Sequence, residues 1–218
     1  RYWLSFTVLI ILLLVLVFWN INSGSIPISL KDVFRILFQK EGNQTAYNIV
    51  WEIRLPRILA AVILGGALSV SGFLLQTFFG NPIAGPFVLG ISSGAKLVVA
   101  LTMIYLLGKS MVATSGVMII AAFIGSLISM GFVLLISRKV KQMSMLVVSG
   151  IMIGYICSAV TDFAVTFADD SNIVNLHNWS LGSFSGTSWD NVSVMAVVVF
   201  VALFITFLMS KPISAYQL

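Results

Sequence analysis

Apolar runs of membrane length alternate with short polar connections along the whole chain. A helix needs about 20 mostly apolar residues to cross roughly 30 Å of hydrocarbon. Six stretches meet that requirement, at about 3–19, 58–79, 87–107, 112–136, 143–168 and 192–210. The first runs between Trp3 and Trp19, residues suited to the two membrane–water interfaces. Its apolar run is longer than that of a secretory signal and no small-residue cleavage site follows, so it reads as a span. The pattern predicts an all-α fold, a polytopic transmembrane helix bundle forming one domain over 1–218.

The connections differ in character. Residues 20–57 read as a long polar loop, in which 28–38 has the spacing of a short amphipathic surface helix, with Leu30, Val33, Phe34 and Leu37 on one side. Residues 137–142, SRKVKQ, read as a tight basic turn, and 169–191 as a second long polar loop.

Composition supports the same class. The chain is 59% hydrophobic and 9% charged, with a mean hydropathy of +1.08. Soluble domains are about a quarter charged, so lipid must cover most of this surface. The net charge of +5 fits basic residues near membrane surfaces rather than a nucleic-acid patch. A single cysteine, Cys157, excludes an internal disulfide or a cysteine metal site. The chain begins at Arg1 rather than Met and stops at Leu218 just past an apolar stretch, which reads as a fragment.

Orientation is not settled by counting lysines and arginines. The dense turn at Arg138, Lys139 and Lys141 favours an inside N-terminus, whereas Lys31, Arg35, Lys40, Arg54 and Arg57 in the first loop argue against it.

Within the spans, small and polar residues fall on stripes: Gly65, Ser69, Gly72 and Gln76 on one, Gly125 and Ser129 on another, and Gly150, Gly154, Ser158 and Thr161 with Asp162 on a third. Such stripes let helices approach closely in lipid, while Gln76 and Asp162 are polar groups that need a cavity or a partner. Lys96 can reach an interface along its own stem. Between 80 and 94 the chain holds Gly80, Asn81, Pro82, Gly85, Pro86, Gly90, Ser92, Ser93 and Gly94. The prolines remove donors and push their predecessors out of helix. Irregular backbone at membrane depth survives only inside protein or along water, so a broken entry to the third span is expected. Gly90-Ile91-Ser92-Ser93-Gly94 also fits G-x-S-x-G, but that elbow needs a strand–turn–helix context.

Read in order, RLPR at 54–57, GGALSVSG at 65–72, Gln76, NPIAGPFVLGISSGA at 81–95, and WSLGS at 179–183 with Trp189 resemble the FecCD-type permease family of ABC importers for iron–siderophores, haem and cobalamin. Members usually read RLPR, G-x-x-L-x-x-S-G, Q, NPLA-x-P-x-x-LG-x-x-x-GA and W-x-x-GS followed by a further W. This chain departs at Ile83, Gly85 and Lys96. The resemblance implies about ten membrane helices in the full-length subunit, of which this chain would be the first six. It also implies a homo- or heterodimer of permease subunits, two cytoplasmic ATPase subunits that hold ATP and Mg, and an extracytoplasmic solute-binding protein. The chain itself would carry no cofactor, metal or catalytic residue. It ends where the family's ATPase-docking loop begins. The family places the RLPR arginines, here Arg54 and Arg57, at the outer surface against glutamates of the binding protein. That role suits the planar guanidinium and resolves the orientation, with the N-terminus cytoplasmic in a bacterial inner membrane. The expected pathway residues are Gln76, Asn81, Pro82, Gly150, Gly154, Ser158 and Thr161, and the expected cytoplasmic gate is Met143 with Ser144, after Lys141 and Gln142. Two other readings stay open. One is an ion-coupled secondary transporter using Asp162 and Lys96. The other is an intramembrane serine hydrolase using Ser92, His177 and Asp162.

Overall fold

The computed structural model describes residues 2–24, 26, 28–39, 43–108, 114–140 and 142–216. Lys40 and Lys141, which were weighed for orientation, lie outside them, as do the first two residues of the span expected at 112–136. The described residues form helices α1 (Tyr2–Asn22), α2 (Leu30–Phe38), α3 (Gln44–Asn48), α4 (Leu55–Phe79), α5 (Ile91–Gly108), α6 (Ser115–Ser137), α7 (Met143–Thr166), α8 (Asp170–Leu181), α9 (Trp189–Leu208) and α10 (Ser210–Tyr216). A π-helical turn, Ile49–Arg54, joins α3 to α4. The expected all-α membrane class holds.

Among the described residues five helices are long and apolar enough to cross a bilayer, Tyr2–Asn22, Gln44–Phe79, Ser115–Ser137, Met143–Thr166 and Trp189–Leu208. This corrects the expectation of six. The third expected span does not begin at 87. The turn around Pro82, Pro86 and Gly90 delays α5 to Ile91, and within the described residues its apolar part runs over Ile91–Leu106, less than a full crossing. Neither polar loop is irregular throughout. The first holds α2, α3 and the π turn, and the second holds α8. A low apolar content hides α8, whose inward side rests mainly on buried Leu176 and half-buried Trp179.

Contacts group the chain into two compact units whose boundary falls inside α4, after Ala67. The first unit contains 1–67 and 183–207. Its core is Ile21, Ile28, Val33, Ile36, Val50 and Ile58, so α2 packs on the C-terminal end of α1 and the start of α4. The helix α2 starts with a reciprocal cap. The Ser29 hydroxyl accepts from the Asp32 N–H and donates to the Asp32 carboxylate at 2.7 Å.

The second unit contains 68–182 and 208–218. One core gathers Phe79, Ala84, Leu89, Val133, Leu146 and Val147, and another gathers Val99, Ala100, Met103, Met118, Ala121 and Leu176. Between them α5, α6 and α7 meet backbone to backbone. A Cβ on Gly94 would overlap the Ser129 hydroxyl and sit 2.8 Å from the Gly125 carbonyl. One on Gly90, whose φ is +72°, would sit 2.7 Å from both the Gly150 carbonyl and the Gly154 nitrogen. Real Cβ atoms do not approach other atoms that closely, so glycine is required at both places for space, and at Gly90 for conformation as well.

Candidate functional site

Two clusters collect the expected site residues, one in each unit. In the first unit the organising feature is Pro56. It has no N–H to offer Glu52, four residues back, or Trp51, five back. The helix before it opens into the π turn, where the Leu55 N–H reaches the Val50 carbonyl. The Trp51 carbonyl is taken instead by the indole N–H of Trp189, at 2.9 Å. The indole N–H of Trp51 points on to the Ile36 carbonyl of α2 at 3.4 Å, and Tyr47, Trp51 and Trp189 form a run of neighbouring rings.

The arginines flank that break and behave differently. Arg54 is buried, 8% exposed. Its Nη1 donates to the Ile21 carbonyl, one of the carbonyls left open by the end of α1, and its Nη2 donates to the Ile26 carbonyl at 2.7 Å. Gly24 leaves room for it, since a Cβ there would lie 2.5 Å from Nη2. Arg57 is half-buried, and its Nη2 donates to the Ser185 carbonyl at 2.7 Å. Its Nε is buried with no hydrogen-bond partner. Arg57 stands with Asn20 on the wall of a groove of about 550 Å³, whose other lining includes Leu16, Ile58, Gly65 and Phe184. The RLPR motif therefore spends one arginine on its own loop and keeps unused hydrogen-bonding capacity on the other.

In the second unit Gln76, Asn81, Pro82 and Met143 come together on a single open cavity of about 600 Å³, with Phe73, Phe78 and Gly80. The backbone there is well determined by local chemistry. The end of α4 closes with a Schellman pair, in which the Gly80 N–H bonds Thr77 and the Asn81 N–H bonds Gln76. Gly80 takes φ +57°, as that motif requires. The Asn81 side chain accepts from the Ile83 N–H at 2.9 Å, folding Asn81-Pro82 into an Asx turn. Three residues expected in the pathway and one expected in the gate, 67 positions apart at their extremes by numbering, thus line one cavity.

The small stripe of α7 is not on that cavity. Gly150 and Gly154 are buried against Leu89 and Gly90 of the turn before α5. Thr161 is 1% exposed, and its hydroxyl bonds the Cys157 carbonyl one turn back at 2.8 Å. Ser158 is half-buried and Ser144 is exposed at the start of α7. Asp162 and His177 are exposed, and Lys96 is half-buried. Ser92 lies in the first turn of α5 after a helix–turn connection rather than a strand, which removes the context a nucleophile elbow needs. Among the described residues no group of histidine, cysteine or acidic side chains could hold a metal ion. Sequence reasoning missed Gly24, Trp51 and the carbonyls of Ile21, Ile26 and Ser185, because backbone acceptors carry no residue signature.

Comparison with known proteins places the chain in a family. The chain is 32% identical over 211 residues to the hemin transport system permease protein HmuU of Yersinia pestis, covering 96% of this chain and 62% of that one. It is 33% identical over 218 residues to the vitamin B12 import system permease protein BtuC of Shigella boydii, covering 100% of this chain and 62% of that one. The chain thus spans about 62% of the length of these curated relatives. A solved structure described as an inward-facing metal-chelate type ABC transporter superposes with a TM-score of 0.78 at 21% identity, covering 96% of this chain and 63% of that one, a likeness of fold. The sequence model of the FecCD transport family matches residues 12–218, and with several apolar helices of membrane length, this chain is a multi-pass membrane protein of the FecCD transport family.

Proposed function

We propose that the chain is the membrane-spanning permease part of an ABC importer for a bulky metal chelate, with iron–siderophore as the first candidate and haem or cobalamin next. The observation that carries this reading is the match to the FecCD family over residues 12–218, supported by relatives named as hemin and vitamin B12 permeases. In this reading the chain performs no chemistry. Partner ATPase subunits hydrolyse Mg-ATP, a second permease subunit completes the pathway, and an extracytoplasmic binding protein delivers the solute. The membrane is the bacterial inner membrane, and the N-terminus of α1 is cytoplasmic.

Each cluster takes a role of its own. Arg57, half-exposed, pairs with a carboxylate of the binding protein, and Arg54 holds the loop that presents it. The cavity walled by Gln76, Asn81, Pro82 and Met143 lies at the cytoplasmic mouth, with exposed Ser144 facing the second subunit. Methionine closes such a mouth without creating a strong polar site. Gly150 and Gly154 serve the pathway by seating the broken segment on α7, with Ser158 and Thr161 further along the same helix.

The test is uptake by the full-length permease reconstituted with its ATPase and binding protein in proteoliposomes, using labelled iron–siderophore, haem and cyanocobalamin in parallel. ATP-dependent uptake of one of them is expected. Uptake driven by a proton gradient without the ATPase would replace this reading with ion coupling.

A further inference from the structure

The helix α2 buries one side and leaves the other unpartnered. Val33 and Ile36 are buried in the core of the first unit. Lys31, Phe34, Arg35 and Phe38 are exposed, and at about 100° per residue they share one arc of the helix. Phe34 and Phe38 form one half of that arc. They are 57% and 69% exposed, with ring centroids 4.6 Å apart. Lys31 and Arg35 form the other half. Asp32, the acidic residue of this helix, stands on the flank and is engaged by Ser29.

The height of this arc is set by its neighbours. The core beneath α2 includes Ile21, in the last turn of α1, and Ile58, in the first turn of α4. Ile21 lies at the end of α1 and Ile58 opens the apolar run read from the sequence as a span over 58–79, the level at which spans are expected to meet water. Exposed Trp19, a residue of interfacial preference, lies in the same last turns of α1. The Trp51 indole bond to the Ile36 carbonyl holds α2 against the π turn at that level.

We propose that this face of α2 is a lipid-binding surface that lies on anionic phospholipid in the leaflet bordering the C-terminal end of α1. The paired phenylalanines enter the boundary between headgroups and acyl chains. Lys31 and Arg35 stay level with the phosphates, where each cation gains from the negative surface potential. The distribution of charge favours lipid over a protein partner, because two cations beside two phenylalanines match an anionic headgroup above its own acyl chains. This surface is independent of the docking and gate residues discussed above.

The test uses the full-length protein with Cys157→Ser and a nitroxide placed singly at Phe34→Cys or Phe38→Cys. It is reconstituted in phosphatidylcholine vesicles with or without phosphatidylglycerol. Collision rates with oxygen and with a water-soluble nickel chelate report depth. Oxygen collisions should exceed chelate collisions severalfold at both positions, and depth should increase when phosphatidylglycerol is present. Lys31→Glu with Arg35→Glu should abolish that increase while leaving the folded yield unchanged. A label open to the chelate places the face in water and overturns the proposal. A label shielded from both reagents places protein on it and overturns it in favour of a partner. Depth insensitive to phosphatidylglycerol removes the anionic specificity that the proposal requires.

Discussion

The indole N–H of Trp189 donates at 2.9 Å to the backbone carbonyl of Trp51, a residue 138 positions earlier. The bond answers a vacancy created by Pro56, and it ties the start of α9 to the π turn. Trp189→Phe keeps the ring and loses the donor. An unmet carbonyl that is shielded from water costs about 1–3 kcal/mol. Trp189→Ala should cost more, since the ring contact with Trp51, about 0.5–1.5 kcal/mol, is lost as well. The order of apparent melting temperatures in detergent, wild type above Phe above Ala, checks this. Equal values for wild type and Phe would show the bond to be idle.

Arg54 and Arg57 should separate in function despite sharing a motif. Arg54→Lys cannot hold two carbonyls at fork geometry, so its loss should lower stability by about 1–3 kcal/mol. Arg57→Ala gives up one hydrogen bond to the exposed Ser185 carbonyl, so it should cost stability no more than about 0.5–1.5 kcal/mol. On the proposed function it should weaken binding-protein affinity at least tenfold. Thermal shift and a binding titration on the same two variants read both effects. If Arg57→Ala melts early and binds normally, the assignment is reversed.

Gly94→Ala should be among the most damaging single changes in the chain. Its methyl would collide with Ser129 and the Gly125 carbonyl, and such overpacking costs about 1–3 kcal/mol or more. Ser129→Ala in addition should recover only part, because the carbonyl of Gly125 is backbone and stays at 2.8 Å. Gly116→Ala is the control, with no neighbouring atom within 4 Å of its Cβ position. The fraction of protein surviving a heat step in detergent ranks the three.

Two positive-φ glycines allow conformation and space to be told apart. Gly80 has no neighbour near its Cβ position, whereas Gly90 is hemmed in by α7. Asn tolerates the left-handed region better than Ala. Gly80→Asn should therefore be milder than Gly80→Ala, while Gly90→Asn should be at least as harmful as Gly90→Ala. The same heat-survival measurement decides it.

The spans, the amphipathic helix α2 and the broken entry to α5 were legible because each leaves a period or a cluster of breakers in the residues themselves. Val33 and Ile36 are buried while Phe34 stays exposed, a detail the simple spacing of 28–38 does not resolve. Asn81, Pro82 and Met143 could be named from their types and places, and the structure puts them on one cavity. What could not be read is what each residue faces. A stripe of Gly150 and Gly154 announces a close approach, yet nothing in α7 says that Gly90 is what approaches. Arg54 looks like a surface charge until the chain folds the carbonyls of Ile21 and Ile26 around it. The α8 helix was missed because Leu176 and Trp179 alone are too sparse a period among polar neighbours.

The π turn at Ile49–Arg54 behaves as a single surplus residue lodged in a helix that otherwise runs from Gln44 to Phe79. Each residue turns a helix by about 100°. Everything before the turn is therefore rotated by that much relative to where an uninterrupted α-helix would hold it. Tyr47 and Trp51 reach the ring run with Trp189 only in this rotated frame. A one-residue deletion between 49 and 53 would leave the composition of the segment almost unchanged, yet it would swing α3 and its aromatic side away from α9. In this stretch, length counts for more than identity. Substitutions should be absorbed where a single lost codon is not.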